Sequence, residues 1–424
     1  MKIKALVLAI SMVLCTTAVW ADNRVTTDTS GNNNTITTAQ QGGDGNTTSV
    51  TQASDNNQST TSQTGNNNMA SVTQHNYYDY WSSWYGNDGS GLTAISQVGD
   101  NNSATIYQGN GTYQVAYGYL GNQSTATINQ LSSSNSVANI IQFYQLGTNL
   151  AAINQTGIAN TANVTQGYGS DDSASISQEG ISNTATITQD TDSKNNGNIA
   201  SINQYGNSDS ASISQTYGAY HSASVTQSGW SDTTAIVQGG GYQAVTLDQK
   251  NDNSTATINQ NGGYNSVSVN QGGMSDTTTI AQGGGYQGIT LDQANDNSTA
   301  TITQNGSYNS VRVTQNGMSD TATITQKGGF SGITLDQENN NSTATITQNG
   351  GYNNAAVAVT QSGMSDTATI VQGGGNYDIV TVLNQTGDNN SATINQNIYG
   401  SSAFNYSTNV TQSGSGNTAT VSQQ

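Results

Sequence analysis

The chain has 424 residues, a formal net charge of −18 and only 8% charged residues. So few bases exclude nucleic acid and anionic lipid surfaces as electrostatic partners, because both demand basic patches. Polarity comes instead from Asn, Gln, Ser, Thr and Gly, and proline is absent, a composition that suits cross-β stacking.

The first residues read as a secretory signal. Lys2 and Lys4 give a positive start, Ala5 to Leu14 is apolar, and Val19 and Ala21 suit a cleavage site. The cut is expected after Ala21, making 1–21 a signal peptide. The apolar run is too short for a membrane span. Cys15, the only cysteine, lies within the expected signal, so the mature chain would hold no thiol for disulfides or metal sites.

Residues 22–33 form an Asp/Asn/Thr-rich lead with no clear unit. From Asn34 a short unit recurs, and 34–424 reads as one repeat array. The step breaks at His75 to Leu92, an aromatic insertion (75–92) holding Trp81 and Trp84. That stretch reads as a bulged arc over the sheet edge or as an adhesive, glycan-contacting loop. Tyr113 to Leu120 is again aromatic and loose. A longer arc is expected at Asp190 to Asn198, and a small insertion around Ala403 to Tyr406.

The most regular run spans Gln227 to Gln348, where glutamine falls every eleven residues without a slip. The text also repeats at 44 residues: Gly239 to Gln282 is nearly copied by Gly283 to Gln326. A fixed short period of this kind fixes a stacked architecture.

One unit can be read residue by residue. Ser254 to Gln260 alternates as a strand does, with Gln260, Ile258, Ala256 and Ser254 on one face. Asn261 to Tyr264 is expected to turn, with its glycines at positive φ. Asn265 to Gln271 is a second strand, with Val267 and Val269 inward, and Gly272 to Ser275 a second turn. The predicted fold is therefore all-β, a β-solenoid of stacked 22-residue strand–turn–strand–turn coils, about 15 to 18 of them at ~4.8 Å per coil.

Stacking copies predicts continuous columns. Ile258, Ile280, Ile302 and Ile324 form one core column. Val267, Ile289 and Val311 form a second, and Val269, Leu291 and Val313 a third. Glutamines bracket this core as two ladders: Gln260, Gln282, Gln304, Gln326 and Gln348 on one side; Gln271, Gln293, Gln315 and Gln337 on the other. Each buried amide would bond its copy on the next coil. Ser254, Asp276, Ser298 and Asp320 alternate along one column, which spaces like charges on alternate coils.

The last unit, with Asn417, Ala419, Val421 and Gln423, is an ordinary rung without proline, helix or charge. It is expected to be an uncapped polymerisation edge, since an open strand templates another.

These units resemble the curlin repeat of bacterial curli fibre subunits, whose pattern is Ser, five residues, Gln, one residue, Gly, two residues, Asn, five residues, Gln. Ser254, Gln260, Gly262, Asn265 and Gln271 match it in full, as do Ser298, Gln304, Gly306, Asn309 and Gln315. Alternate units depart, with Asp276 for Ser and Gln287 for Asn. The resemblance implies a secreted functional amyloid, an extracellular fibre on the bacterial surface. It would polymerise with itself, start on a nucleator subunit, pass an outer-membrane curli secretion pore, serve as adhesive biofilm matrix and contact host or abiotic surfaces. It implies no enzymatic activity and no cofactor.

The rival reading is an ice-binding β-solenoid. Thr255 and Thr257, Thr277 and Thr279, and Thr299 and Thr301 make an outward two-column array that resembles the Thr-x-Thr faces of antifreeze proteins. Catalysis has little support: His75 and His221 are lone histidines expected at the surface, and no aspartates pair as an acid and base. Gly42 to Asn46 weakly resembles a calcium-binding nonapeptide but occurs once.

Overall fold

Strands alternate sides and pair with the strand after next, always parallel. The computed structural model describes residues 22–31, 33–53, 56–76, 91–110, 124–143, 148–190, 197–352, 355–374, 379–398 and 406–423. The predicted signal, most of the 75–92 insertion, the 113–120 stretch, most of the 190–198 arc and residues 403–405 lie outside these ranges. The chain divides into two compact units, Met1–His221 and Ser222–Gln424.

In the second unit the 22-residue coil is explicit. Thr255–Gly263 pairs with Thr277–Gly285, setting Ile258 on Ile280 and Gln260 on Gln282. Thr299–Ser307 and Thr321–Gly329 continue that sheet. The intervening strands Ser266–Gln271, Gly288–Gln293 and Ser310–Gln315 build the second sheet, with Val267 on Ile289 and Val269 on Leu291. Period-2 alternation puts every second side chain into the space between the sheets. Ile258, Ile280, Ile302, Ile324, Val267, Val269, Ile289, Leu291, Val311 and Val313 are all buried there. Each such side chain stabilises by about 1.5–3 kcal/mol on burial. A single coil cannot realise this alone, so burial and stacking are one event. The fold is a β-solenoid.

The expected turn at Asn261 to Tyr264 is corrected in its extent. The strand runs on to Gly263, and its ladder continues through Gly262 paired with Gly284. The reason is conformational. Gly262 sits at φ +120 and Tyr264 at φ +58, so the chain bends while its backbone groups still face the next coil. Tyr264 N–H bonds Gly241 O at 3.0 Å.

The first unit has the same architecture with less uniform arcs. Leu150–Ile158 pairs with Ser173–Ile181, Ile153 on Ile176, at a step of 23. Met69–Asn76 pairs with Ser103–Asn110, Gln74 on Gln108, so the longer insertion leaves the ladder in register. The lead at 22–33 is also corrected: Arg24–Ser30 is a strand, paired with Thr47–Ala53. Its missing core pattern hid it, because all but one of its residues are exposed.

Candidate functional site: amide ladders, a buried carboxylate column and an edge strand

The two predicted glutamine columns are continuous chains of hydrogen bonds. Gln260 Nε2 donates to Gln282 Oε1 at 2.8 Å, Gln282 to Gln304 at 2.9 Å, Gln304 to Gln326 at 2.7 Å and Gln326 to Gln348 at 2.7 Å. Opposite them, Gln271 donates to Gln293, Gln293 to Gln315 and Gln315 to Gln337, at 3.0–3.1 Å. The remaining amide proton is also used: Gln271 Nε2 reaches Thr255 O at 3.2 Å. Burying an amide is costly unless it is hydrogen-bonded, and at Gln271 both protons find acceptors. Every link points the same way, donor toward the later coil, so each ladder is a directed chain of dipoles.

The directed chains have distinct ends. Gln40 Nε2 donates to Gln63 Oε1 at 2.8 Å, and no glutamine among the described residues donates to Gln40. In the second unit, Gln423 Oε1 accepts from Gln396 Nε2 at 2.9 Å, and Gln412 Oε1 accepts from Gln385 Nε2 at 2.9 Å. Neither Gln412 nor Gln423 donates to a further glutamine among the described residues.

Ser254, Asp276, Ser298 and Asp320 are fully buried. Their alternation follows hydrogen-bond chemistry. Ser254 Oγ donates to Gly273 O at 3.1 Å, and Gly273 N–H donates to Asp276 Oδ2 at 3.1 Å. Asp276 Oδ1 then accepts Ser298 N–H at 3.0 Å, and Ser298 Oγ donates to Gly317 O at 3.2 Å. A hydroxyl donor rung and a carboxylate acceptor rung thus alternate, which gives the 44-residue repeat a structural basis beyond charge spacing. Burial pushes these carboxyls up, against the pull of the backbone N–H bonds: Asp276 to about 7 and Asp320 to about 6. Asp172 in the first unit is pushed up to about 7 by the same cause.

Asn265 and Asn309 lie on the opposite inner column and are buried. Asn265 Oδ1 accepts Gln287 N–H at 3.2 Å, and Gln287 Nε2 donates to Gly306 O at 2.9 Å. Glutamine can replace asparagine on alternate coils because its amide reaches the same type of carbonyl.

The final strand differs from the rungs before it. Thr418–Gln423 pairs with Ser391–Ile398, Ala419 on Ala392 and Val421 on Ile394. Ala392 and Ile394 are fully buried, whereas Asn417, Ala419, Val421 and Gln423 are only half-buried.

Several features escaped the sequence reading. His221, expected at the surface, is 1% exposed; this is a correction. Its N–H donates to Asn198 Oδ1 at 2.9 Å, so it occupies the inner polar column. The sequence held the signal: six residues before Gln227 stands His221, as Asn265 stands six before Gln271. His75 is exposed. An aromatic ladder was also missed. Tyr242, Tyr264, Tyr286, Tyr308 and Phe330 stack face to face with centroids 4.7–4.8 Å apart. All five hold positive φ. Among the described residues no group of three or more His, Cys, Asp or Glu is placed to hold a metal.

The model of the curlin associated repeat matches residues 43–75, 196–229 and 296–328. Three segments of the chain thus match the curlin repeat. The third match contains the full set Ser298, Gln304, Gly306, Asn309 and Gln315. The curlin-repeat family is one of structural fibre subunits. In this chain its Ser, Asn and Gln positions are the buried inner columns, and its glycine is the positive-φ bend. A comparison of the chain with curated proteins found no match.

Proposed function

We propose that the chain is a structural subunit of a secreted, extracellular curli-type amyloid fibre on the bacterial surface, joined end to end by strand pairing. The observation that carries this reading is the half-buried final strand. Ala419 and Val421 continue the core columns yet lack the cover that Ala392 and Ile394 have. Such an edge templates pairing with another chain. The directed amide ladders add polarity: the amide protons of Gln412 and Gln423 on one copy face acceptors such as Gln40 Oε1 on the next. The match to the curlin repeat is what suggests adhesion and biofilm scaffolding, a nucleator subunit, a curli secretion pore and host or abiotic surfaces as contacts. Electron microscopy of material secreted by cells with and without this protein tests it. Fibres that depend on the protein are expected; identical material from both would overturn the reading.

A second reading rests on one observation. Thr255, Thr277 and Thr299 stack in register, as do Thr257, Thr279 and Thr301, on the outward face. Two regular threonine columns suit an ice lattice. Thermal hysteresis of the monomer discriminates: clear ice shaping without fibres would favour ice binding.

A further inference from the structure

On the outer face of the second unit, the strands from Ser266–Gln271 to Ile379–Thr386 lie side by side in register. One outward column runs Ser266, Gly288, Ser310, Gly332, Ala356 and Val380. It floors a groove of about 450 Å³. Glycine within a strand costs roughly 0.5–1 kcal/mol relative to alanine. A Cβ on Gly288 would meet nothing within 4 Å, so internal packing does not demand glycine there. Strand glycines without a packing reason mark places where another group comes close.

The two halves of the groove differ chemically. Towards Ser266 the lining is hydroxyl-bearing, with Ser268, Thr290 and Ser310. Towards the other end it is aliphatic, with Ala356, Ala358, Val380 and Val382. These four take outward positions where earlier coils carry mainly Ser, Thr or Gly, and Val380 is 37% exposed. Arg312 lines the groove where the two halves meet, the only charged residue in it. It forms no ion pair or hydrogen bond among the described residues. Asp292 and Asp336, on the flanking strands, do not pair with it.

We infer that this groove binds a single-chain anionic amphiphile, a free fatty acid of medium length. The guanidinium and neighbouring hydroxyls take the carboxylate, and the alkyl chain lies over Ala356, Ala358, Val380 and Val382. Three strand steps separate Arg312 from Val380, about 14 Å at ~4.8 Å each, the reach of a medium alkyl chain. Charge selects this ligand: a neutral sugar chain leaves the guanidinium unmatched, and an anionic membrane surface meets a chain of charge −18. A small anion escapes most of that repulsion, because salt screens exposed charges beyond about 8 Å at physiological strength.

The test is calorimetric titration of dodecanoate, kept below micelle formation, into the full soluble chain at pH 8 in physiological salt. Saturable binding of one equivalent is expected, with acetate giving none. Arg312→Gln should weaken it at least about tenfold, as loss of a charge-assisted contact does, while a neutral detergent of the same tail binds wild type and variant alike. Ala358→Asp, which sets a charge in the tail path, should abolish it with unchanged circular dichroism. Equal affinity of wild type and Arg312→Gln, or non-saturating adsorption, would overturn the inference. The site lies on the side of the coils, so the result is independent of whether the chain polymerises.

Discussion

Asp276 Oδ1 accepts the backbone N–H of Ser298, its counterpart one coil further on, at 3.0 Å. A fully buried carboxylate is thus tied to the next coil and forms no ion pair among the described residues, and the same link recurs between Asp320 and Ser342 at 2.9 Å.

That arrangement gives the solenoid a defined pH response. Burial raises Asp276 to about 7 and Asp320 to about 6, above the ordinary 3.8. The folded state therefore binds these protons more tightly than the unfolded state does. Stability should be highest below about pH 4, fall as pH rises through the interval to about 7, and level off above it. Urea midpoints measured from pH 4 to 8 check this; Asp276→Ser with Asp320→Ser should flatten the curve. Stability rising with pH across that interval would contradict the assignment.

The glutamine ladders predict strong non-additivity. Gln282→Leu leaves Gln260 Nε2 without its acceptor and Gln304 Oε1 without its donor. Two orphaned buried groups should cost roughly 2–4 kcal/mol after added apolar burial offsets part of the loss. Replacing Gln260, Gln282 and Gln304 together also orphans only two ladder groups, Gln238 Nε2 and Gln326 Oε1, besides removing the long Gln260 donation to Ala244 O. The triple variant should therefore cost about as much as the single one. Denaturant unfolding that shows three additive losses would mean the amides act independently.

Glycine positions divide sharply. A Cβ at Gly262 would lie 1.8 Å from Gly284 O, at φ +120. Gly262→Ala should destabilise by more than about 3 kcal/mol, because backbone on both sides must move. Gly288→Ala should be neutral or stabilise by up to about 1 kcal/mol, since its Cβ meets nothing. Thermal melts should fall for Gly262→Ala and hold or rise for Gly288→Ala.

Much of the fold is legible because a period of two within strands and twenty-two between coils dictates columns without knowledge of their contacts. Ile258 above Ile280 and Gln260 above Gln282 follow from counting alone. What counting misses is chemistry between backbone and side chain across coils. The acceptor role of Asp276 depends on Gly273 N–H and Ser298 N–H converging, which spacing does not reveal. The tyrosine ladder was visible as a 22-residue spacing of Tyr242, Tyr264, Tyr286 and Tyr308. Its stacking depends on the positive φ at each ring, which is unusual for bulky residues. In the first unit Asn101, Asn135 and Ser182 hold positive φ and bond to the preceding coil in the same way, so the bend itself does not need an aromatic.

End-to-end growth through the last rung is tested most directly by seeded elongation. Wild-type fibre fragments are mixed with monomer of either wild type or Ala419→Lys with Val421→Lys, and growth is followed by thioflavin T and electron microscopy. Charges on an edge strand block pairing. Wild-type monomer should extend the seeds, and the double variant, with its β-sheet circular dichroism intact, should stop them after at most one addition. Equal elongation by both, or no elongation by wild type, would contradict assembly through that edge.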